Sequence, residues 1–452
     1  MKPILTERSD VKMPKTQKDN YLSAFTKGTD RKAPAWINQT RKSAINRFRE
    51  LGFPTTREEN WKYTNVGPIA ETPFKFVSEF SPHGISIGQI KPFLFSENWP
   101  RLVFVNGVYS KELSSNPVSE NGLKVVNLEP ILNSDSKLIE PYFARYARYE
   151  QNGFTALNTA FFQDGAFIYL PEGKTVKKPI HLLFISSDQE DKVASYPRVL
   201  IVAGKNSKAA IIESYVSIGN VASFTNAVTE LVIGEGASVD HYKIQNENQN
   251  AFHIGTTQVH QEQDSKFLSS SISTGARIAR NNLSVGLEGE GAECHLRGLY
   301  FASGEQHVDN TTLIDHPKPH GTSRQLYKGI VGGKATAVFS GKIFVHKNAV
   351  RTDAEQTNKN LLLSEKATAD TKPQLEILND DVKCTHGAAV GQLDEEAVFY
   401  LKTRGIGEER ARKLLSYGFA NEVVEQMGVE GVRSELSRQL VGQLERLSNG
   451  KH

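Results

Sequence analysis

The chain has 452 residues, 23% charged and 38% hydrophobic, enough apolar material for the cores of two or three domains. Its 54 basic and 51 acidic side chains leave +3, without the basic excess that a nucleic-acid partner selects. MKPILTERSDVKMPK lacks the apolar run of a signal peptide, and LLFI and VLIVA fall far short of the roughly 18 residues of a membrane span, so a cytoplasmic chain with no membrane partner is expected.

Residues 1–95 read as a mostly helical N-terminal domain. Pro34 can open a helix that carries Ile37, Ala44, Ile45, Phe48 and Leu51 near helical spacing, and Gly52 with Pro54 stops it. The Trp61 and Tyr63 cluster that follows is expected to pack locally.

Residues 96–392 change character. Short β-type runs such as RLVFVNG, GAFIYLPEG, HLLFIS, RVLIVAG, ELVIGEG and KIFVH are bounded by turn residues, with no helix-length periodic segment between them. A turn, a small residue and a strand recur. Aligning Ser207, Ala237, Ser265, Ala292, Ala335 and Ala367 gives near-regular returns of about 30 residues with one long step, as stacked coils produce. A β-helix core is expected, each coil burying its inner face on its neighbours; a two-sheet sandwich is the alternative.

Residues 393–452 read as a C-terminal helical domain. Asp394 is placed to cap a helix with Glu395 and Glu396 in its first turn, and Gly405 to close it. A stripe of Ala411, Leu415, Phe419, Val423 and Met427, with Leu414 beside it, precedes a third helix with Val432, Leu436, Leu440, Leu444 and Leu447. Such stripes serve the chain's own core or a partner, and the spacing leaves both open.

Only Cys294 and Cys384 are present, too few for a disulfide framework or a four-thiolate metal site. On an extended strand Cys384 and His386 project to one face, about 6.6 Å apart at Cα. Thiolate and imidazole suit iron, zinc or copper, so the pair is a candidate half of a metal site shared with another subunit; the plainer reading is an inert buried Cys. Cys294 and His295 are adjacent and point apart, so Cys294 reads as core. The His316-Pro-Lys-Pro-His320 stretch reads as a solvated loop, and His346, Glu213, Glu262 and Glu288 show no ligand spacing. GIVGGKATA lacks the glycine at Lys328 and the hydroxyl at Ala335 that a phosphate loop needs. RGIGEERARKLL resembles a DNA-binding helix–hairpin–helix, unsupported by the charge balance.

Three stretches carry a family resemblance. EENWKYTNV (58–66), NGFTALNTAFFQDGAFIYLPEG (152–173) and the long run 339–406, with KCTHGA at 383–388 and the RGI at 404–406, are similar to motifs of the SufB/SufD family of the SUF iron–sulfur cluster assembly system, and KCTHGA looks like its D-type branch. The resemblance implies a right-handed parallel β-helix flanked by helical domains. It implies a non-enzymatic scaffold that pairs with a SufB-type paralogue and binds a SufC-type ABC ATPase. No cofactor is then held stably by this chain alone, and an iron–sulfur cluster passes transiently through the complex. Cys384 and His386 match the proposed cluster-assembly interface, with His386 the stronger carry-over. Arg404, Gly405 and Ile406, with Leu414, Leu415 and Phe419, fall in the ATPase-binding region. A SufB-type subunit and a β-helix carbohydrate-active enzyme remain alternatives, as does a homodimer of the free chain.

Overall fold

The computed structural model describes residues 15–27, 33–76, 84–188 and 192–449, with the side chains of 15–17, 27 and 446–449 excepted. The expected features of the first fourteen residues and the side chain of Leu447 lie outside this set.

The core is a parallel β-helix of about seven turns between residues 165 and 391. Strands alternate between two sheets. One sheet takes Gly165–Leu170, Arg198–Ala203, Ser223–Ile233, Phe252–Gln261, Ile278–Leu287, His307–His316, Thr336–Val345 and Thr368–Ile377. The other takes Ile180–Ser187, Lys208–Ile218, Ser238–Asn246, Lys266–Ser273, Glu293–Ala302, Thr322–Val331, Thr352–Leu362 and Val382–Gly391. Strands consecutive in the chain face each other, and strands one coil apart pair in parallel. The sandwich alternative fails on this register.

The returning small residues are turn positions. Ser207, Ala237, Ser265 and Ala292 are fully buried and each precedes a strand of the second sheet. Ala335 and Ala367 precede strands of the first sheet. The long step from Ala292 to Ala335 is therefore one coil plus a change of sheet. Register in the second sheet runs Lys208, Ser238, Lys266, Glu293, Thr322, Asp353, Lys383, with no long step.

The two ends of the β-helix differ. At the N-terminal end Arg101–Val105 joins Ile180–Ser187, and Leu123–Asn127 lies antiparallel to Gly165–Leu170; hairpin partners Val108–Tyr109 and Val118–Glu120 follow. At the C-terminal end Thr368–Ile377 and Val382–Gly391 each have one strand neighbour.

Three short helices, Leu128–Ser134, Ser136–Ile139 and Gly153–Phe161, lie in the zone read as the β-helix core. They are too short to show a helical period. All nine residues of Gly153–Phe161 are buried, and Asn152 caps it by accepting from the N–H groups of Phe154 and Thr155. Gly153 has to be glycine, because a Cβ there would lie 2.1 Å from the carbonyl oxygen of Gly52. The segment 139–147 is held by Glu230, which is fully buried, accepts from the backbone N–H groups of Ala144, Tyr146 and Ala147, and pairs with the buried Arg198.

Upstream, the helix Ala35–Leu51 starts after Pro34 and ends at Gly52 with φ 69°, as its sequence signals required. Ile37, Ala44, Ile45 and Phe48 are buried, while Leu51 faces out. Trp61 is buried under the guanidinium of Arg280 at 3.8 Å from the ring centroid, and Tyr63 is exposed. Thr64 bonds His307 Nε2 at 2.9 Å and also Asp309, which receives Arg280 NH1 at 2.5 Å. The 58–66 motif thus docks the N-terminal region on a sheet face through a buried polar set.

Candidate functional site

Cys384 and His386 lie on the last strand, Val382–Gly391, in register with Ala354 and Gln356. The pleat places both on the inward face. Cys384 is half-buried against the interior cluster, and burial pushes its thiol above the ordinary value despite a backbone hydrogen bond from Ala354. A thiol so placed is a weak ligand until a cation lowers its pKa. His386 is exposed, since no further coil stacks over it. Beyond His386 the strand is small apart from Val390: Gly387, Ala388, Ala389 and Gly391. Ile377, Leu378 and Val390 leave apolar surface at this same end. Among the described residues no group of three or more His, Cys, Asp and Glu is gathered closely enough to hold a metal ion. Cys384 and His386 alone could supply at most two donors.

The second cluster of candidate residues lies on the C-terminal helices Glu395–Thr403, Glu408–Val424 and Glu430–Asn449. Asp394 caps the first by accepting from the N–H of Glu396 at 2.9 Å. Its end is a Schellman motif: Gly405 N–H bonds Lys402 O at 3.0 Å, Ile406 N–H bonds Leu401 O at 3.2 Å, and Gly405 has φ 80°. Arg404 lies over the Tyr400 ring, 5.2 Å from its centroid. The RGI triplet thus first ends a helix.

The stripe on the next helix packs mainly inward. Ala420, Val423, Val424 and Met427 join Ile212, Tyr242, Ile244, Leu299 and Ile330 on the outer face of the second sheet. Phe419 and Leu415 are half-buried, and the Phe419 carbonyl accepts from Lys328 Nζ at 2.9 Å. Val432, Leu436, Leu440 and Leu444 of the last helix are buried in the same cluster. Leu414 points away at 45% exposure. Sequence reasoning missed Phe399 and Tyr400, which are 66% and 58% exposed and line a groove with Asp394, Glu395 and Glu396. The signal was present as two adjacent aromatics on a nine-residue helix, too short to bury both.

The remaining candidates resolve as structure. Cys294 is fully buried and burial pushes its thiol far up. His316, expected on a solvated loop, ends a strand, is fully buried and bonds Ser323 Oγ at 2.9 Å; its loop partner His320 sits in a turn with φ 61°. The GGK segment is a tight turn between two strands. Glu213, which showed no ligand spacing, meets His241 Nε2 at 2.9 Å, one coil on, inside the β-helix.

Residues 184–419 match the SufBD core domain of SUF system FeS cluster assembly, and residues 15–182 match the SufBD protein N-terminal region. The chain belongs to the SufBD family. Its similarity runs nearly end to end. A SufBD family iron–sulfur cluster assembly protein of Synechocystis is 32% identical, covering 96% of this chain and 97% of the relative. The iron–sulfur cluster assembly protein SufD of Escherichia coli is 33% identical over 87% and 89%, and that of Bacillus subtilis 28% identical over 92% and 95%. This SufBD protein is a SUF-system protein of iron–sulfur cluster assembly. No described helix is long and apolar enough to cross a membrane.

Proposed function

We propose that the chain is the D-type scaffold subunit of a cytoplasmic SUF assembly complex. In it the open end of the β-helix pairs with a SufB-type paralogue, and the C-terminal helices, residues 393–452, bind a SufC-type ABC ATPase. The observation that carries this reading is the asymmetry of the solenoid. Its N-terminal edges are covered by hairpins, while among the described residues no strand pairs the outer edges of its last two strands, beside Ile377, Leu378 and Val390. Free edges of this kind pair with another chain. That pairing would bring Cys384 and His386 to a subunit junction, where donors from the paralogue complete a site for the cluster, which is cargo. A thiol must shed its proton to ligate, and burial pushes the Cys384 thiol up, so His386 leads and Cys384 assists. The relatives named SufD favour the D-type assignment over the SufB-type. A polysaccharide-cleaving role is disfavoured, because Glu213 and Glu247 are sealed inside the coil. Anaerobic co-expression with the two partner types tests the reading: a stable ternary complex supports it, and a chain that purifies alone in their presence overturns it. The isolated chain should release no phosphate from ATP.

A further inference from the structure

The segment 58–66 carries part of the family resemblance, yet the assembly reading gives its residues no role. Its side chains reach strands far apart in the coil stack. Trp61 and Val66, with Phe74, join Phe224, Phe252 and Ile278 in one apolar cluster. Trp61 also covers the Arg280 guanidinium, 3.8 Å from the ring centroid. Arg280 forms a buried ion pair with Asp309, which accepts further bonds from Thr311 Oγ1 at 3.1 Å and from Thr64. Thr64 meets His307 Nε2 at 2.9 Å. Burial lowers His307, opposed by Asp309 and, from the last strand of the first sheet, by Asp370. On that same last strand Lys372 pairs with Glu59. The set spans the first sheet from Ser223–Ile233 to Thr368–Ile377, five strand spacings or about 24 Å.

The last strand is the one that needs support. A coil inside a solenoid is held by a neighbour on each side, and an end coil by one. Among the described residues no strand pairs the outer edge of Thr368–Ile377. None of its ten residues is buried, whereas most of Thr336–Val345, one coil earlier, is. Strands with one neighbour and little burial open locally before the rest of the fold. Asp370 stands in the register column of Arg280 and Asp309, with the buried Val338 between, and Lys372 in the column of Asn282 and Thr311. From Arg280 to Asp370 is three strand spacings, about 14 Å.

We propose that residues 58–66 form a clasp, rooted on the buried Arg280–Asp309 pair, that holds the last strand of the first sheet from its outer face where no further coil supports it. An exposed ion pair between two freely moving side chains contributes little, because fixing them costs entropy. Glu59 is carried on a segment that Trp61 and Thr64 already fix, so little of that cost falls on its pair with Lys372. Order at the open end thus depends on the N-terminal region, through contacts that skip the intervening coils. The strand so held faces Val382–Gly391 across the last coil, at the end where a second chain would seat. The clasp itself stands whether or not one does.

The test is backbone hydrogen exchange of the full chain, without partners, read by mass spectrometry. It follows residues 368–378, where the N–H groups of Thr368 and Leu378 bond Ala335 O at 3.0 Å and Val345 O at 2.9 Å. Glu59→Lys sets like charges against each other at an exposed position, so the fold is not at risk. It should speed exchange of 368–378 by about threefold or more and leave Ser223–Ile233 unchanged. Combining it with Lys372→Glu should restore the parent rate. Thr64→Val keeps the side-chain shape, removes both bonds at the root and makes no bond to the last strand; it should speed 368–378 by at least as much. Exchange of 368–378 at the parent rate in either single variant overturns the clasp, as does a double variant that fails to restore it. An equal rise in Ser223–Ile233 would mean general loosening and would also overturn it.

Discussion

Lys328, on the strand Thr322–Val331, donates its ammonium to the carbonyl oxygen of Phe419 at 2.9 Å, and the same group lies 4.4 Å from the Phe419 ring centroid and pairs with Glu422. This contact ties the C-terminal helices to the outer face of the second sheet. Arg297 adds a bond to Gln426 O at 2.8 Å, and Tyr242 OH accepts from the N–H of Gly428 at 3.2 Å. Lys328→Met keeps the stem and removes the donor. It should destabilise the chain by about 1–3 kcal/mol, the cost of stranding a buried acceptor, read as a lower urea midpoint.

The same packing changes how ATPase docking is best tested. Removing residues 393–452 would strip the cover from Ile212, Tyr242, Ile244, Leu299 and Ile330, so loss of binding on truncation would be confounded with unfolding. Phe399→Ala with Tyr400→Ala alters only exposed side chains. The double variant should bind the ATPase at least tenfold more weakly, the loss typical of aromatic anchors, with an unchanged melting temperature. Calorimetric titration of the ATPase into each chain checks it.

Stability should fall on acidification. Burial pushes His181 down to about 3, with Arg101 adding to the effect, and burial pushes His316 down to about 4. The unfolded chain protonates both near pH 6.5, so it binds more protons than the folded one and stability drops as pH falls from there towards the folded values. Asp164 opposes this. Burial raises it to about 6 despite bonds from Asn127, Glu129 and Gly165, so the folded state gains as pH falls through 6. Two histidines outweigh one carboxylate, and the net loss between pH 7 and 5 from these three groups is roughly 2–3 kcal/mol. His181→Gln should flatten that dependence by about 2 kcal/mol in urea unfolding at the two pH values.

Much of this architecture was legible because coil length is written in turn residues. Ser207, Ala237, Ser265 and Ala292 end turns where only a small inward side chain fits, so their spacing measures the coil. The jump to Ala335 was not legible, since the two sheets use the same turn chemistry and the sequence does not say which sheet a strand joins. Applied as a ruler, the coil spacing brings Glu213 to the coil of His241 and Lys243; read by ligand motifs alone, Glu213 stays isolated. The helix Gly153–Phe161 hid because total burial erases amphipathic contrast.

At the site, the shared face of Cys384 and His386 followed from strand alternation. Their unequal exposure did not, because it depends on which coil is last. The stripe from Ala411 to Met427 was visible, but its direction was not: an apolar face reads the same against its own sheet as against a partner. Phe399 and Tyr400 carry the exposed surface instead.

His386 at the open end is expected to serve cluster assembly between subunits. The measurement is the anaerobic rate of iron–sulfur cluster formation, by the growth of visible absorbance, in the reconstituted complex with SufB-type and SufC-type partners. It compares the parent chain with His386→Ala and Cys384→Ala, each first shown to elute as intact complex from a sizing column. His386→Ala should slow assembly by at least tenfold and by more than Cys384→Ala. Assembly at the parent rate in an intact His386→Ala complex would contradict it.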